Sequence, residues 1–366
     1  MSLSHIPMGG GFDLPVLRLE GSARECGLTY GTLARAEIQA TLAAYLASFE
    51  HHHRIGRERV FELADRFAET VEAYDPALLE EMGGIAEGAQ IPLSGVLAVN
   101  ARSELVHGLK APVTDPDGCT SFFVGPEGTA GNSVFIGQNW DWNPAIRRST
   151  VLLDIRRDGL PRILSIAEAG LLAKLGFNDA GIACVINFLL ADQRRFGVPV
   201  HVIRRKVLQA RTISEAMKAV ITADRALAAN YLIASDEGLA IDIEAWPDDF
   251  SALLPENGVL THANHFKALS PARRDLGKSI FPDSLLRDHR IKSLLSGGGV
   301  DMDRCKAALR DKLGQPNAIC RHVDPNAAPG DQVETLGSVI IDLSTASMQF
   351  CSGPPDRGDY VEISMN

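Results

Sequence analysis

The sequence predicts an α+β fold in which sheets are sandwiched by helices within one domain. Two observations carry this. Apolar residues recur at helical spacing before about residue 90, between about 199 and 223, and again after 284, while short β-rich runs fill the intervals. A chain of 366 residues, 45% hydrophobic and 22% charged, has the composition of an ordinary folded protein with a sizeable core.

The elements follow in chain order. "MGGGF" at 8–12 lacks the lysine and the preceding strand of a phosphate loop and reads as a flexible entry segment. From Gly21 to about Gln90, "TYGTLARAEIQATLAAYLASFE" and "RERVFELADRFAETVEAY" place apolar residues three and four apart, which makes amphipathic helices with one buried stripe. After "DPDGC" the period shortens. "CTSFFVG", "NSVFIGQNWDW", "STVLLDIRRDG", "RILSIAEAG" and "AGIACVINFLL" read as strands, with "GPEGTAGN" a hairpin connection between the first two. "HVIRRKVLQA" and "SEAMKAVI" form a helical block. Strands return in "NYLIASDEGLAIDIEAW", whose "DEG" is a hairpin turn, and in "GVLTHANHF". Helices follow at about 284–295 and 302–313, the second with Asp301 as N-cap, separated by the loop "SGGG". "TLGSVIIDLSTASMQFCSG" closes the chain as a hairpin.

Composition excludes several function classes. A formal charge of -10 disfavours phosphate backbones and anionic lipid, which need clustered cations. The short basic runs Arg147-Arg148, Arg194-Arg195 and Arg204-Arg205-Lys206 read as solvated faces. No basic segment leads into an apolar stretch, and no run of about 18 apolar residues occurs, so a cytoplasmic location is expected. Six scattered cysteines without a C-x-x-C pair suggest reduced core residues, not a disulfide framework.

Cys119 stands apart because it joins a turn-forming run, "TDPDG", to a strand. Only a thiolate attacks well, so a catalytic cysteine needs a base. His107, His201, His262, His265, His289 and His322 are available, but none lies in a papain-like or caspase-like signature. Cleavage between Gly118 and Cys119 would supply another base, the new α-amine, whose pKa of about 7.7–8.0 lies close to the thiol's value of about 8.5. Glycine at 118 fits such a cut, because it tolerates strained backbone that lets the neighbouring thiol reach its carbonyl carbon. Asp141 in "GQNWDW" and Asn264 in "LTHANHF" are candidates to anchor the ammonium and to stabilise an oxyanion.

Plainer readings stand beside these. Cys119 alone would be a core residue, Asp141 a strand-end cap, and Asn187 and Asn264 loop anchors. The tract "EHHHR" at 50–54 is no metal site, since consecutive histidines on a helix end point to different sides. His262 and His265 sit where strand becomes loop and have no nearby ligand set, so structural roles are expected. No cofactor or metal is expected.

"DGCTSF", "GQNWDW", "EAGLLAKLGFNDAGIACVINF" and "THANHF", in that order, resemble the acyl-coenzyme A:isopenicillin N acyltransferase family of N-terminal nucleophile hydrolases, related to conjugated bile acid hydrolases. The resemblance implies a four-layer αββα fold and self-cleavage between Gly118 and Cys119. It divides the chain into an N-terminal helical segment, 1–118, and a nucleophile-bearing piece, 119–366, that remain associated as one domain. It also implies Cys119 as nucleophile, its α-amine as base, Asp141 as holder of the new terminus, and an oxyanion site formed by the Asn264 side chain and a backbone N–H at Asn187. Arg321 matches an arginine near the active site. Where the fungal acyltransferase has a Ser-Arg pair, Asp331 and Gln332 stand here, and Trp246 aligns with a serine, so the β-lactam substrate does not carry over.

The expected partner is a small amide or acyl donor, with hydrolysis favoured over transfer because nothing identifies a second pocket that excludes water. Two alternatives remain: an unprocessed homologue that binds without turnover, and a cysteine hydrolase using His262 or His265 as base.

Overall fold

In the computed structural model the described residues are 3–9, 11–108, 118–268 and 274–365. Strand β1 (Ser4–Pro7) turns into β2 (Asp13–Gly21), and six helices follow: α1 (Ala23–Leu33), α2 (Arg35–His53), α3 (Arg57–Tyr74), α4 (Pro76–Ala89), α5 (Leu93–Asn100) and α6 (Arg102–Gly108). Then come β3 (Gly118–Val124), β4 (Phe135–Trp142), β5 (Thr150–Arg157), β6 (Ile163–Glu168), β7 (Leu175–Asn178) and β8 (Ile182–Phe188). Helices α7 (Val200–Val207) and α8 (Ile213–Ile221) precede β9 (Ala229–Ser235), β10 (Ala240–Ala245), β11 (Phe250–Leu253) and β12 (Val259–His262). The chain ends with α9 (Gly277–Ile280), α10 (Asp283–Leu295), α11 (Met302–Leu309), β13 (Glu334–Asp342), β14 (Ser347–Ser352) and β15 (Val361–Ser364).

The described strands form a nine-stranded sheet, ordered β1-β2-β5-β6-β7-β8-β9-β10-β11, and a six-stranded sheet, ordered β12-β3-β4-β13-β14-β15. They face each other where β3 and β4 meet β8. Helices α1 and α8 pack on the larger sheet, α10 and α11 on the smaller, which completes four layers, αββα. Strands inside such a sandwich are covered on both faces and lose the alternation of a half-exposed strand. Accordingly, every residue of β3, β4 and β8 is buried.

Local chemistry sets the helix ends. Ser22 and Glu25 form a reciprocal capping box at α1, and Asp301 accepts from the Arg304 N–H at 2.8 Å as expected. Helices α1 and α4 touch through glycines: a Cβ at Gly84 or Gly88 would come within 2.5 Å of the backbone carbonyl oxygen of Arg24 or Leu28.

Two expectations need correction. The first segment is not wholly helical, because β2 pairs in parallel with β5 and extends the larger sheet. "MGGGF" is a turn, not a flexible entry: Met8 is buried and its N–H donates to the Phe12 carbonyl at 3.0 Å, with Gly9 and Gly11 at positive φ; Gly10 lies outside the described residues. "TDPD", at 114–117, also lies outside them.

Candidate active site

Strand register builds the site. Gly118 lies opposite Asp141 and Cys119 opposite Trp140 on β4, while His262 of β12 lies opposite Ser121. Continuing that antiparallel register past the end of β12 brings Asn264 level with Cys119. The Cys119 N–H donates to Asn264 Oδ1 at 2.9 Å. Its carbonyl accepts from Asn187 Nδ2 at 3.2 Å, across the sheet interface, and from Arg287 Nη1 at 2.7 Å. Cys119 itself is buried.

Each polar partner is held in turn. Asn264 Nδ2 donates to the Phe188 carbonyl at 3.0 Å and its main-chain N–H to Ser284 Oγ at 2.7 Å. Asn187 Oδ1 accepts from Ser121 Oγ at 2.6 Å and from Asn230 Nδ2 at 3.3 Å. At Asn187 the group that meets Cys119 is the side-chain amide. Gln138 binds both the N–H and the carbonyl of Ile186, at 3.1 and 2.7 Å, so the alternation of an extended strand turns the main-chain groups of Asn187 toward β9.

Asp141 stands beside the Gly118-Cys119 bond. Its Oδ1 accepts from Thr335 Oγ1 at 2.7 Å, while Oδ2 has no hydrogen-bond partner and lies 3.5 Å from Arg321 Nε. A Cβ at position 118 would come within 3.1 Å of that Oδ2, so glycine is what lets the carboxyl approach the chain here. Burial pushes Asp141 up to about 7 against the pull of Arg321 and Arg287, so it holds or loses its proton near neutral pH. Asp283, one helical turn before Arg287, accepts from Arg287 Nε at 2.8 Å and from Arg321 Nη2 at 2.7 Å. Burial raises Asp283, yet the two arginines outweigh it and hold the carboxylate below its usual range.

The family model for acyl-coenzyme A:6-aminopenicillanic acid acyl-transferase matches residues 128–357, well over half of the chain. The chain belongs to that family. Its matched span holds Asp141, Asn187, Trp246, Asn264 and Arg321, and begins after Cys119. The acyl-coenzyme A:6-aminopenicillanic-acid-acyltransferase 40 kDa form of Emericella nidulans is 28% identical over 343 residues, 93% of each chain. Among solved structures, a Caenorhabditis elegans N-acylethanolamine-hydrolyzing acid amidase ortholog aligns over 62% of this chain and 93% of its own, at 16% identity and a TM-score of 0.45. A conjugated bile acid hydrolase from Clostridium perfringens aligns over 68% and 92%, at 14% identity and the same TM-score. These relatives are acyltransferases and amide hydrolases by name.

The other candidates of this family member fall elsewhere. Trp246 is buried in a separate apolar cluster with Leu189, Ala191, Ala228 and Phe266. His262 bonds the Ala263 carbonyl and Glu244 Oε1, both at 2.8 Å, and His265 meets Ser284 Oγ at 2.7 Å. His51 and His52 both lie 3.6 Å from Asp331, so two histidines of "EHHHR" converge after all. All six cysteines are buried and none is in a disulfide.

Sequence reasoning missed Arg287, Asp283, Thr335 and the cavity beside Cys119. The Asp283–Arg287 pair, four residues apart on an expected helix, was the available signal for the first two. The cavity, of about 20 Å³, is lined by Cys119, Gln138 and Ile186 from the strands, Arg102 and Lys174, and His201 and Arg204 of α7. The run Arg204-Arg205-Lys206 is therefore not a solvated face. Arg204 and Arg205 are buried, and Arg205 makes a two-pronged contact with Glu81 at 2.8 and 3.0 Å.

Proposed function

We propose that this chain is a self-processing cysteine amidohydrolase or acyltransferase acting on small amide or acyl donors through a thioester on Cys119. The observation that carries the reading is the fixing of Cys119 on both sides. Asn264 takes its N–H, Asn187 and Arg287 take its carbonyl, and the open oxygen of Asp141 borders Gly118.

In processing, Cys119 Sγ attacks the Gly118 carbonyl carbon and the Gly118–Cys119 C–N bond breaks, leaving a thioester. The thiol gives up one proton and the departing nitrogen gains one, and a carboxyl poised near pH 7 beside Gly118 is suited to carry that exchange. Water then hydrolyses the thioester, giving a Gly118 carboxylate and a free Cys119 α-amine. That amine, retained by Asn264 Oδ1 and attracted by Asp141, takes the thiol proton in turnover. The thiolate attacks an acyl carbonyl. Asn264 Nδ2 has two hydrogens, one of which serves Phe188, and the second is suited to the oxyanion, as is Asn187 Nδ2. Water resolves the acyl-enzyme in hydrolysis and an amine does so in transfer.

His262 is disfavoured as a base because both of its ring nitrogens already have partners. Denaturing electrophoresis of purified protein and of Cys119→Ala tests the reading. Two bands for the first and one full-length band for the second are expected. A single full-length band for both would overturn self-processing and leave the two uncleaved alternatives, a binding role or a hydrolase with a histidine base.

A further inference from the structure

Arg204 poses a problem that the proposed chemistry does not solve. It is 3% exposed, lines the cavity that Cys119 opens onto, and makes no ion pair with any described carboxylate. Its Nε and Nη1 are buried without hydrogen-bond partners. A buried guanidinium left this way loses its hydration with nothing in return, so a site that keeps one is built for an incoming anion.

The surroundings agree. Arg102 and Lys174 line the same cavity, but both are committed to Glu168, a carboxylate with no exposure. Arg204 adds a third positive charge beside them. His201 stands one turn before Arg204 on α7, and neither of its buried ring nitrogens has a partner. Glu104 uses Oε1 to accept the Val200 N–H at 2.8 Å at the start of the same helix. Helix α7 therefore presents one charged and one neutral donor, both desolvated, to the chamber of the nucleophile.

We propose that Arg204, with His201 beside it, binds a carboxylate carried by the substrate a few bonds from its scissile carbonyl. The substrate class is then a carboxylate-bearing amide, such as an N-acyl amino acid or the monoamide of a dicarboxylic acid. A cavity of about 20 Å³ holds about one water, so the group that enters it is small. Arg204 Nε and Nη1 lie on different edges of the guanidinium, so each offers one charged N–H that a carboxylate oxygen can accept. This inference rests on Cys119 being the nucleophile of the proposed function.

Cys119 reports on the chamber through two alkylating reagents of similar size, anionic iodoacetate and neutral iodoacetamide. Rates are followed by mass spectrometry of the Cys119 peptide in the wild type, Arg204→Gln and Arg204→Lys. The expected result is a roughly tenfold fall in the iodoacetate rate for Arg204→Gln, with the iodoacetamide rate nearly unchanged and Arg204→Lys in between. An equal fall with both reagents would assign Arg204 to the thiolate instead and overturn the proposal, as would no change. Should Arg204→Gln fail to fold, the wild type alone decides. Butyrate must slow iodoacetamide labelling of Cys119 more than butyramide does, and equal protection overturns the proposal. Failure of chain cleavage appears separately on a gel, so the two readings fail distinguishably.

Discussion

Arg287 binds the Cys119 carbonyl, the Thr120 hydroxyl and the Asn264 amide oxygen at once, at 2.7, 2.9 and 2.9 Å. It thereby fixes where the thiol stands relative to the Gly118 carbonyl, and a misplacement of about 1 Å costs on the order of 10²-fold in rate. Arg287→Gln is expected to slow appearance of the two pieces by roughly that factor, followed by electrophoresis over time; maturation at the wild-type rate would remove Arg287 from the account. Asp141 makes a prediction with a definite sign. Its folded pKa, about 7, lies above the unfolded value, so its contribution to stability is present below about pH 4 and is lost as pH rises through 7. In a Cys119→Ala background, Asp141→Asn should therefore gain stability relative to its parent as pH rises from 4 to 8, read as the difference in melting temperature. At this scale the sequence was legible where a side chain sat in a motif. Cys119, Asp141, Asn264 and Asn187 meet as motif order suggested, whereas Arg287 and Arg204 lie on ordinary amphipathic helices whose register alone does not say which charge is buried.

The helices and long strands were readable because each fills several periods of its pattern. Shorter pieces were read unevenly: β12, of four residues, stands out in "GVLTHANHF", whereas β7, β11 and β15, also of four residues each, are too short for a period to show. Strand β2 is longer but carries Pro15 and alternates buried with exposed residues beside an all-helical stretch, so the helical blocks after Gly21 dominate the reading. The contact of α1 with α4 gives an element-level test. Gly84→Ala must push the helices apart, because its Cβ would meet backbone, and backbone cannot swing aside as a side chain does. A loss of about 1–3 kcal/mol in a urea titration is expected; an unchanged midpoint would mean that the helices separate at no cost.

Across the whole molecule, residues before and after the proposed cut are stitched together in the interior. Strand β2 pairs with β5, Arg205 grips Glu81, and Arg102 reaches Glu168 at 3.1 Å. Tyr30 accepts the Gly170 N–H at 2.7 Å, and Asn100 binds Gly170 and Leu172. Burial raises Glu168, but Arg102 and Lys174 outweigh it and hold the carboxylate down at about 2, so it stays charged at any physiological pH. Pieces joined this way should stay together after cleavage and separate only on denaturation, which size-exclusion chromatography in high salt would show. Glu168→Gln removes the buried carboxylate that Arg102 and Lys174 both hold and is expected to cost about 3–5 kcal/mol, measured by denaturant unfolding. The measurement that bears most directly on the account is N-terminal sequencing together with intact mass of catalytically active protein. The account predicts a polypeptide that begins at Cys119, associated with one that ends at Gly118. An unbroken chain that turns over an amide substrate would contradict it.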